Sequence, residues 1–173
     1  MDYFNMLSDE DKRTAFNILC ARPFLDRAPD FVISPDGREP YLFRWHVIPR
    51  NKEANVYFHM QVRSDPERPL HDHPWDNTSV ILSGGYDELT DAGFGPNCIP
   101  YPAMRKLRKG DVCHRVAEEA HRLLLPADFT YTLTLFSTGP VRREWGFYFP
   151  NRWRSNKEVI VDTPEGVSVF KGR

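Results

Sequence analysis

Residues 71–86 read HDHPWDNTSVILSGGY, and they hold the strongest structural signal in the chain. His71 and His73 are separated by one residue, and side chains two positions apart on an extended strand face the same side. Both imidazoles therefore point into one volume, where they would suit a divalent transition metal, while Asp72 points elsewhere. We predict that the pair supplies two ligands of a metal site and that a third comes from another strand. The alternative interpretation is a proline-flanked polar loop that binds nothing.

Outward from this stretch, the chain shows the pattern of many short strands. The candidate strands are rich in Val, Ile, Thr and aromatic residues, and turn residues such as the SGG at 83–85 separate them. Eight or nine such strands predict an antiparallel sandwich or barrel. They are expected at residues 41–48, 56–63, 78–82, 86–89, 99–107, 111–116, 122–125, 131–137 and 145–149.

One helix is predicted near the start of the chain, over residues 8–21. Ser8 can cap its first turn, and the acidic residues that follow favour the positive end of the helix dipole. We expect residues 1–40 to form this helix and an extended lead-in, both packed on a barrel of residues 41–150. Residues 151–173 then form a C-terminal tail.

Composition excludes several classes of protein. The chain has 173 residues, 40% of them hydrophobic and 27% charged, which is typical of one soluble globular domain. Its formal net charge of -1 argues against a nucleic-acid partner, and no apolar run is long enough for a membrane span. The first residues lack the pattern of a secretory signal. Cys20, Cys98 and Cys113 form no CxxC pair, so we expect a reducing, cytoplasmic location.

The spacing that follows the two histidines resembles the first motif of the cupin superfamily. That motif is HxH, then three or four residues, a Glu, six residues and a Gly. In this chain Asn77 or Thr78 stands at the Glu position, and Gly84 or Gly85 stands at the Gly position. The resemblance therefore implies a cupin barrel that lacks the usual carboxylate ligand.

Two later histidines, His114 and His121, are the candidates for the third ligand. The second cupin motif begins with a Gly and has a His eleven residues later, and Gly110 followed by His121 matches this spacing. The resemblance thus implies the ligand set His71, His73 and His121. Three neutral ligands leave the full charge of the metal on the site, so the remaining positions can take water, an anionic substrate or dioxygen.

A cupin with an HDH motif and three histidine ligands also resembles the thiol dioxygenases, of which cysteine dioxygenase is the best known. His121 and Arg122 match the HR that this family has at its third ligand, and Arg44 lies about where the family binds the substrate carboxylate. A further resemblance is to a bacterial cupin group of unassigned activity. Its marks here are FRWHVIPR at 43–50, HDHPWD at 71–76 and GPVRREWGF at 139–147.

Together these resemblances imply an all-β double-stranded β-helix, the jelly-roll barrel of the cupins, with one N-terminal helix. The expected function is that of a metal-binding cupin, a non-haem Fe(II)-type dioxygenase that acts on a small anionic substrate. Zn, Mn, Ni or Co are alternative ions for the same site. The candidate substrate contacts are Arg44, Asn77, Thr78, Tyr86 and Thr134.

Two other functions stay open at this point. One is a sugar-type isomerase or epimerase, in which a His and a Tyr exchange protons with a carbon centre. The other is a non-enzymatic cupin that binds a small molecule. In each case the expected partner is a small molecule, with neither nucleic acid nor membrane, and a homodimer is an open alternative because cupins commonly pair.

Overall fold

The computed structural model describes residues 7–19, 28–34, 39–66, 69–94, 100–149, 152–162 and 168–170. These residues include two helices, α1 (Asp9–Leu19) and α2 (Asn156–Val159). The strands are β1 (Phe31–Ile33), β2 (Leu42–His46), β3 (Asn55–Gln61), β4 (Leu70–His71), β5 (Asn77–Ser83), β6 (Gly85–Phe94), β7 (Pro100–Arg108), β8 (Val112–Arg115), β9 (His121–Leu124), β10 (Thr132–Thr138), β11 (Gly146–Phe149), β12 (Arg152–Ser155), β13 (Ile160–Asp162) and β14 (Ser168–Phe170).

Twelve of these strands form two six-stranded sheets. The first sheet has the order β1-β2-β3-β10-β5-β8, and the second has the order β12-β11-β4-β9-β6-β7. All neighbouring strands run antiparallel. From β3 to β11 the chain alternates between the two sheets except at β6 and β7, which are a pair in the second sheet, so strands distant in sequence become neighbours, as in a jelly roll. The predicted double-stranded β-helix is confirmed.

In its central strands β3 and β10, the first sheet is largely buried on both faces, and the two faces carry different sets of side chains. Phe43, Phe58 and Leu133 are almost fully buried and pack with Leu7 in the main apolar cluster. The residues that alternate with them include Arg44, His59 and Thr134, which line a cavity toward the second sheet. Because side chains alternate between the two faces of a strand, one face of this sheet packs in the apolar core and the other forms a polar wall of the cavity.

Helix α1 is fixed to the first sheet by its own N-terminal residues. The backbone N–H of Asp11 donates a hydrogen bond to Oγ of Ser8 over 3.1 Å, as expected of a capping serine. The Asp11 carboxylate accepts hydrogen bonds from Tyr131 Oη at 2.6 Å and from Ser83 Oγ at 2.9 Å. The predicted N-terminal helix is confirmed. Neither helix of the described chain has the length and apolar composition that a bilayer span requires.

A tight turn at Gly84 carries the chain from β5 in the first sheet to β6 in the second. Gly84 has a φ of +67°, and a Cβ atom there would lie 2.5 Å from the carbonyl oxygen of Tyr131. Both observations require glycine at this position. Beyond the turn, Tyr86 and Glu88 are buried, while Asp87 between them is half-buried. The turn therefore starts the strand that brings a carboxylate inside the barrel.

The sheets extend beyond the residues expected to form the barrel. Strand β1 precedes residue 41 and pairs with β2, and β12 follows residue 150 and pairs with β11. Both additions lie at the edges of their sheets, where three or four residues are enough to form a strand. The predicted helix end at 20–21 and the predicted strand start at 99 lie outside the described residues, as do Cys20 and Cys98.

Candidate metal centre

Three histidine side chains converge at one end of the space between the sheets. His71 ends β4 and His121 begins β9, and the two residues face each other across this strand pair. His73 lies just beyond β4, and its Nε2 is 2.9 Å from Nε2 of His121. One nitrogen from each ring can be chosen so that all three lie within 4.8 Å of one another. Three imidazole nitrogens this close together are a donor set that suits a divalent ion.

A buried carboxylate holds His121 in one orientation. Nδ1 of His121 donates a short hydrogen bond to Oε1 of Glu88, whose side chain is fully buried. The same carboxylate accepts hydrogen bonds of 2.6 Å from Nε of Arg115 and from Nη2 of Arg105. Because two guanidinium groups keep Glu88 ionised, the proton of His121 must lie on Nδ1. The lone pair of its Nε2 then points toward His73, where it can accept a hydrogen bond from that ring or bind a cation.

The pKa of Glu88 shows that its hydrogen bonds outweigh the effect of its burial. Burial by itself would raise the pKa of the carboxyl, but hydrogen bonds from His121 and Arg115 hold it well below its usual range. Arg115 is only 1% exposed and also contacts Ser79 Oγ at 3.0 Å and Tyr86 Oη at 3.3 Å. The carboxylate is therefore charged, completely paired and fixed in position behind the metal site.

Burial also keeps His121 and His73 neutral. It lowers the pKa of His121 to about 4, although the hydrogen bond to Glu88 acts in the opposite direction. The pKa of His73 is well below its ordinary value because of burial and because of the neighbouring His121 and His71. Neutral imidazoles are the form that binds a metal, so both rings are ready to act as ligands near pH 7.

The residue between the first two histidines has a structural role. Asp72 is fully buried, and its carboxylate accepts hydrogen bonds from the backbone N–H of Gly146 at 2.6 Å and from Nε1 of Trp153 at 3.0 Å. It also forms an ion pair with Arg143 at 3.0 Å. The segment that carries His71 and His73 is thereby fastened to β11 and β12, and its carboxylate is turned away from the histidine cluster.

A cavity of about 660 Å³ opens beside the histidine cluster, between the two sheets. His71, His73 and His121 lie on its wall, and Arg44, His59 and Thr134 line it from the first sheet. These three residues of the first sheet are direct neighbours on β2, β3 and β10, so they form a continuous polar row. The cavity thus has the three candidate metal ligands on one side and the Arg44 guanidinium on the other.

Arg44, which is half-buried, pairs with the buried His59. Nε of Arg44 donates a hydrogen bond of 2.8 Å to Nε2 of His59, so His59 is neutral and carries its proton on Nδ1. Burial, and secondarily the charge of Arg44, holds the pKa of His59 well below its ordinary value. Among the described residues, no carboxylate pairs with the Arg44 guanidinium, and burial lowers its pKa.

Aromatic rings cover most of the space around the histidines. The Trp75 ring is stacked on His73 with a centroid distance of 4.8 Å and an interplanar angle of 9°. Phe136 lies 5.4 Å from Trp75 and 5.0 Å from His59. On the other side, Phe147 lies 6.2 Å from His71. These rings reduce the contact of the site with water and would strengthen electrostatic interactions with a bound ion or anion.

Only some of the candidate substrate contacts that were chosen from the sequence lie on the cavity wall. Arg44, Tyr86 and Thr134 line the cavity, and their role as substrate contacts stays a prediction. Asn77 is buried behind the cavity wall, where its Oδ1 lies 3.4 Å from Nη1 of Arg115. Thr78 faces the opposite side of β5, because successive residues of a strand point to opposite faces. We therefore do not retain Thr78 as a substrate contact.

The alternative third ligand, His114, is also on this outer side. Its Nδ1 is 3.0 Å from Oγ1 of Thr78, in an exposed position. In β8, Cys113 and Arg115 are buried, whereas Val112 and His114 are exposed. The alternation of this strand therefore turns His114 away from the cluster that His121 joins.

Sequence reasoning missed Glu88, Arg105 and Arg115. The available signal was a charged residue at an inward position of a predicted strand: Glu88 follows the apolar Tyr86 by two residues, and Arg115 follows Cys113 by two. Such residues are rarely fully buried unless they are paired. To find these residues, one would have to identify the inward positions of two strands and recognise that the charged residues there meet.

No protein-family model matches the chain, and no curated protein sequence matches it. Similar solved structures include an uncharacterized conserved protein with a double-stranded β-helix domain from Klebsiella pneumoniae (15% identity, covering 69% of this chain and 92% of that chain, TM-score 0.48). Others are KdgF from Halomonas sp. (17%, 65% and 96%, TM-score 0.46) and the DMSP lyase DddQ from Ruegeria pomeroyi (14%, 65% and 54%, TM-score 0.48). The strand order of the chain itself defines its fold.

Proposed function

We propose that this chain is a non-haem Fe(II)-type dioxygenase that acts on an anionic small molecule. The observation that carries the proposal is the cluster of His71, His73 and His121 beside a cavity that also contains Arg44. Three imidazoles suit a divalent ion and leave its charge uncompensated. An anion is then the natural second occupant of the cavity.

The proposed metal would be held by Nε2 of His73, Nε2 of His121 and a ring nitrogen of His71. Bound there, Fe(II) would supply the redox chemistry that lets dioxygen react with an organic substrate. Zn, Mn, Ni or Co would fit the same nitrogen donors, and iron is our choice because an uncompensated ion with open positions suits dioxygen and an anion together.

The side chains around the metal would bind and orient rather than transfer protons. The Arg44 guanidinium can bind a carboxylate or another oxyanion through its two terminal nitrogens. Glu88 fixes the ring of His121, and Trp75 and Phe136 exclude water from the space between metal and Arg44. Tyr86 is committed to Arg115 through its hydroxyl, which leaves it a positioning role.

The test is the metal content and oxygen uptake of untagged protein that is purified without oxygen and loaded with Fe(II). The wild type should retain one iron per chain and consume oxygen with at least one member of a panel of carboxylic acids and thiols. His73→Ala should do neither. His114→Ala is the matched control, because this exposed histidine lies on the outer face and should leave both properties unchanged.

Two results would contradict the proposal. Equal iron in the wild type and in His73→Ala would remove the metal site. Turnover that consumes no oxygen, such as proton exchange into a sugar in deuterated water, would replace the dioxygenase with an isomerase.

A further inference from the structure

The cavity is larger and more aromatic than a very small acid requires. Its volume of about 660 Å³ is in the range of sites that enclose a drug-sized ligand, roughly 300–1,000 Å³. An acid the size of an amino acid would leave most of this space to water. Much of the wall is formed by the rings of Trp75, Phe136, Trp145 and Phe147, which gain nothing from contact with water.

An aromatic surface connects the histidine cluster with the Arg44 end of the cavity. Phe136 lies 6.4 Å from the ring of His73 and 5.0 Å from the ring of His59, to which Arg44 is bonded. Its ring is nearly parallel to that of His59, with an interplanar angle of 24°. A molecule that reaches from the histidine cluster to Arg44 must therefore lie across Phe136.

The charge at the Arg44 end is incomplete. Even partial burial of a guanidinium without an acidic partner is unfavourable. The half-buried Arg44 guanidinium lies 4.7 Å from the centroid of the Tyr57 ring, but no described carboxylate pairs with it. Arg115, which is almost fully buried, has such a partner in Glu88 at 2.6 Å. The contrast indicates that the missing negative charge at Arg44 belongs to the ligand.

We propose that the ligand of this cavity is an arylalkanoic-type acid: one carboxylate bound by Arg44, and a planar apolar body that lies on Phe136 and extends toward the three histidines. This inference rests on the proposed function for the metal end and adds to it the chemical class of the substrate. Phe136 and Arg44 are then specificity-determining residues, the first for the apolar body and the second for the charge.

The experiment uses the full chain loaded with Co(II) and three probes: 3-phenylpropionate, propionate and the neutral 3-phenylpropanamide. Binding is measured by titration calorimetry, and the visible spectrum of Co(II) reports any change at the metal. In the wild type we expect 3-phenylpropionate to bind at least tenfold more tightly than either other probe. Propionate tests the apolar body, and the amide tests the charge.

Variants assign the two effects to residues. Arg44→Met should lower the affinity for 3-phenylpropionate at least tenfold and change the affinity for the amide less than twofold. Arg44→Lys should lose only part of the affinity for 3-phenylpropionate because it keeps the charge. Phe136→Leu should weaken both phenyl compounds and leave propionate unchanged. Arg50→Met is the matched control, since Arg50 is exposed and should leave all three affinities as they are.

Equal affinity for propionate and 3-phenylpropionate would show that an apolar body does not contribute to binding. Equal affinity for the acid and the amide would overturn the role of Arg44 in binding the carboxylate. Absence of binding by every probe would overturn the inference as a whole. These comparisons use wild-type protein, so they stand even if a variant fails to fold. Metal content, measured in the same samples, separates this inference from the proposed function. If the chain binds 3-phenylpropionate more tightly than the other probes but retains no metal, only the proposed function is refuted.

Discussion

Two groups of buried charges face the same cavity and differ in one respect. The Glu88 cluster (Glu88, Arg105, Arg115 and His121) surrounds one carboxylate with two guanidinium groups and an imidazole. The Arg44–His59 pair contains a cation that donates its hydrogen bond to a neutral imidazole and lies 4.7 Å from the centroid of the Tyr57 ring. Charges that are complete within the protein hold a side chain in position, whereas an incomplete charge is available to a ligand.

The energetics of the two groups follow from this difference. A buried ion pair gains little net stability over an apolar pair, but loss of one partner strands the other charge in a dry environment. The Glu88 cluster is therefore best understood as a device that fixes His121. The Arg44–His59 pair carries a desolvation cost that an anion would offset on binding.

The largest expected effect distinguishes the histidines of the two walls. His73→Ala should lower the affinity for Zn(II) by more than about 100-fold, because it removes one of three ligands. His59→Ala, on the opposite wall, should retain the metal. Elemental analysis after dialysis and a chelator competition measure both. Metal loss from His59→Ala instead would place the ion on the wrong side of the cavity.

The next effect tests the Glu88 cluster. Glu88→Gln should lower metal affinity by about 10–100-fold, since His121 loses the acceptor that orients it. It should also lower the free energy of unfolding by about 3–5 kcal/mol, because Arg115 stays buried without a counter-charge.

The matched control for this change is the neighbouring acid on the same strand. Asp87 pairs with Arg108 at 2.7 Å, and both side chains are partly exposed. Asp87→Asn should cost about 1 kcal/mol or less, as exposed ion pairs usually do. Urea unfolding compares the two variants, and equal losses would show that burial of the Glu88 cluster has no special effect.

A smaller effect concerns pH and the imidazoles of both walls. The pKa of His121 is lowered to about 4, and that of His59 is also depressed, so unfolding releases rings that bind protons near pH 6.5. The metal-free protein should therefore lose stability as pH falls below about 6.5, with His121 contributing about 2 kcal/mol between pH 8 and pH 5.

This pH range isolates the histidines from the acids. Carboxyl groups with depressed pKa values, such as Glu144 beside Lys157, change stability only below about pH 4.5. Urea midpoints at pH 8 and pH 5 give the difference. A midpoint that does not fall would mean that the buried rings titrate as they do in water.

The smallest effect is expected outside the cavity. Thr78→Ala removes a hydroxyl that contacts His114 in an exposed position, so it should change stability by about 0.5 kcal/mol or less and leave metal affinity within twofold. The same assays measure it. A clear drop in metal or acid binding would mean that the inward face of β5 has been misassigned.

The strands and the three histidines could be predicted from the sequence because the signals are local. Alternation along β5 or β10 and the spacings of His71, His73 and His121 are all visible within short windows. The inward face was harder to predict. Asn77 and Thr78 were equivalent candidates, and a shift of one residue exchanges the two faces of a strand.

By itself, the sequence predicted an antiparallel sandwich or barrel from its periodicity, and a jelly roll with a cluster of histidines from its resemblance to the cupin motifs, because periodicity and motif spacing are properties of short stretches. Only the tertiary structure decided that Glu88 and Arg115 support His121 and that Arg44 has His59 as its partner. Those contacts join different strands, and whether a charge is paired depends on what the fold brings within 3 Å of it.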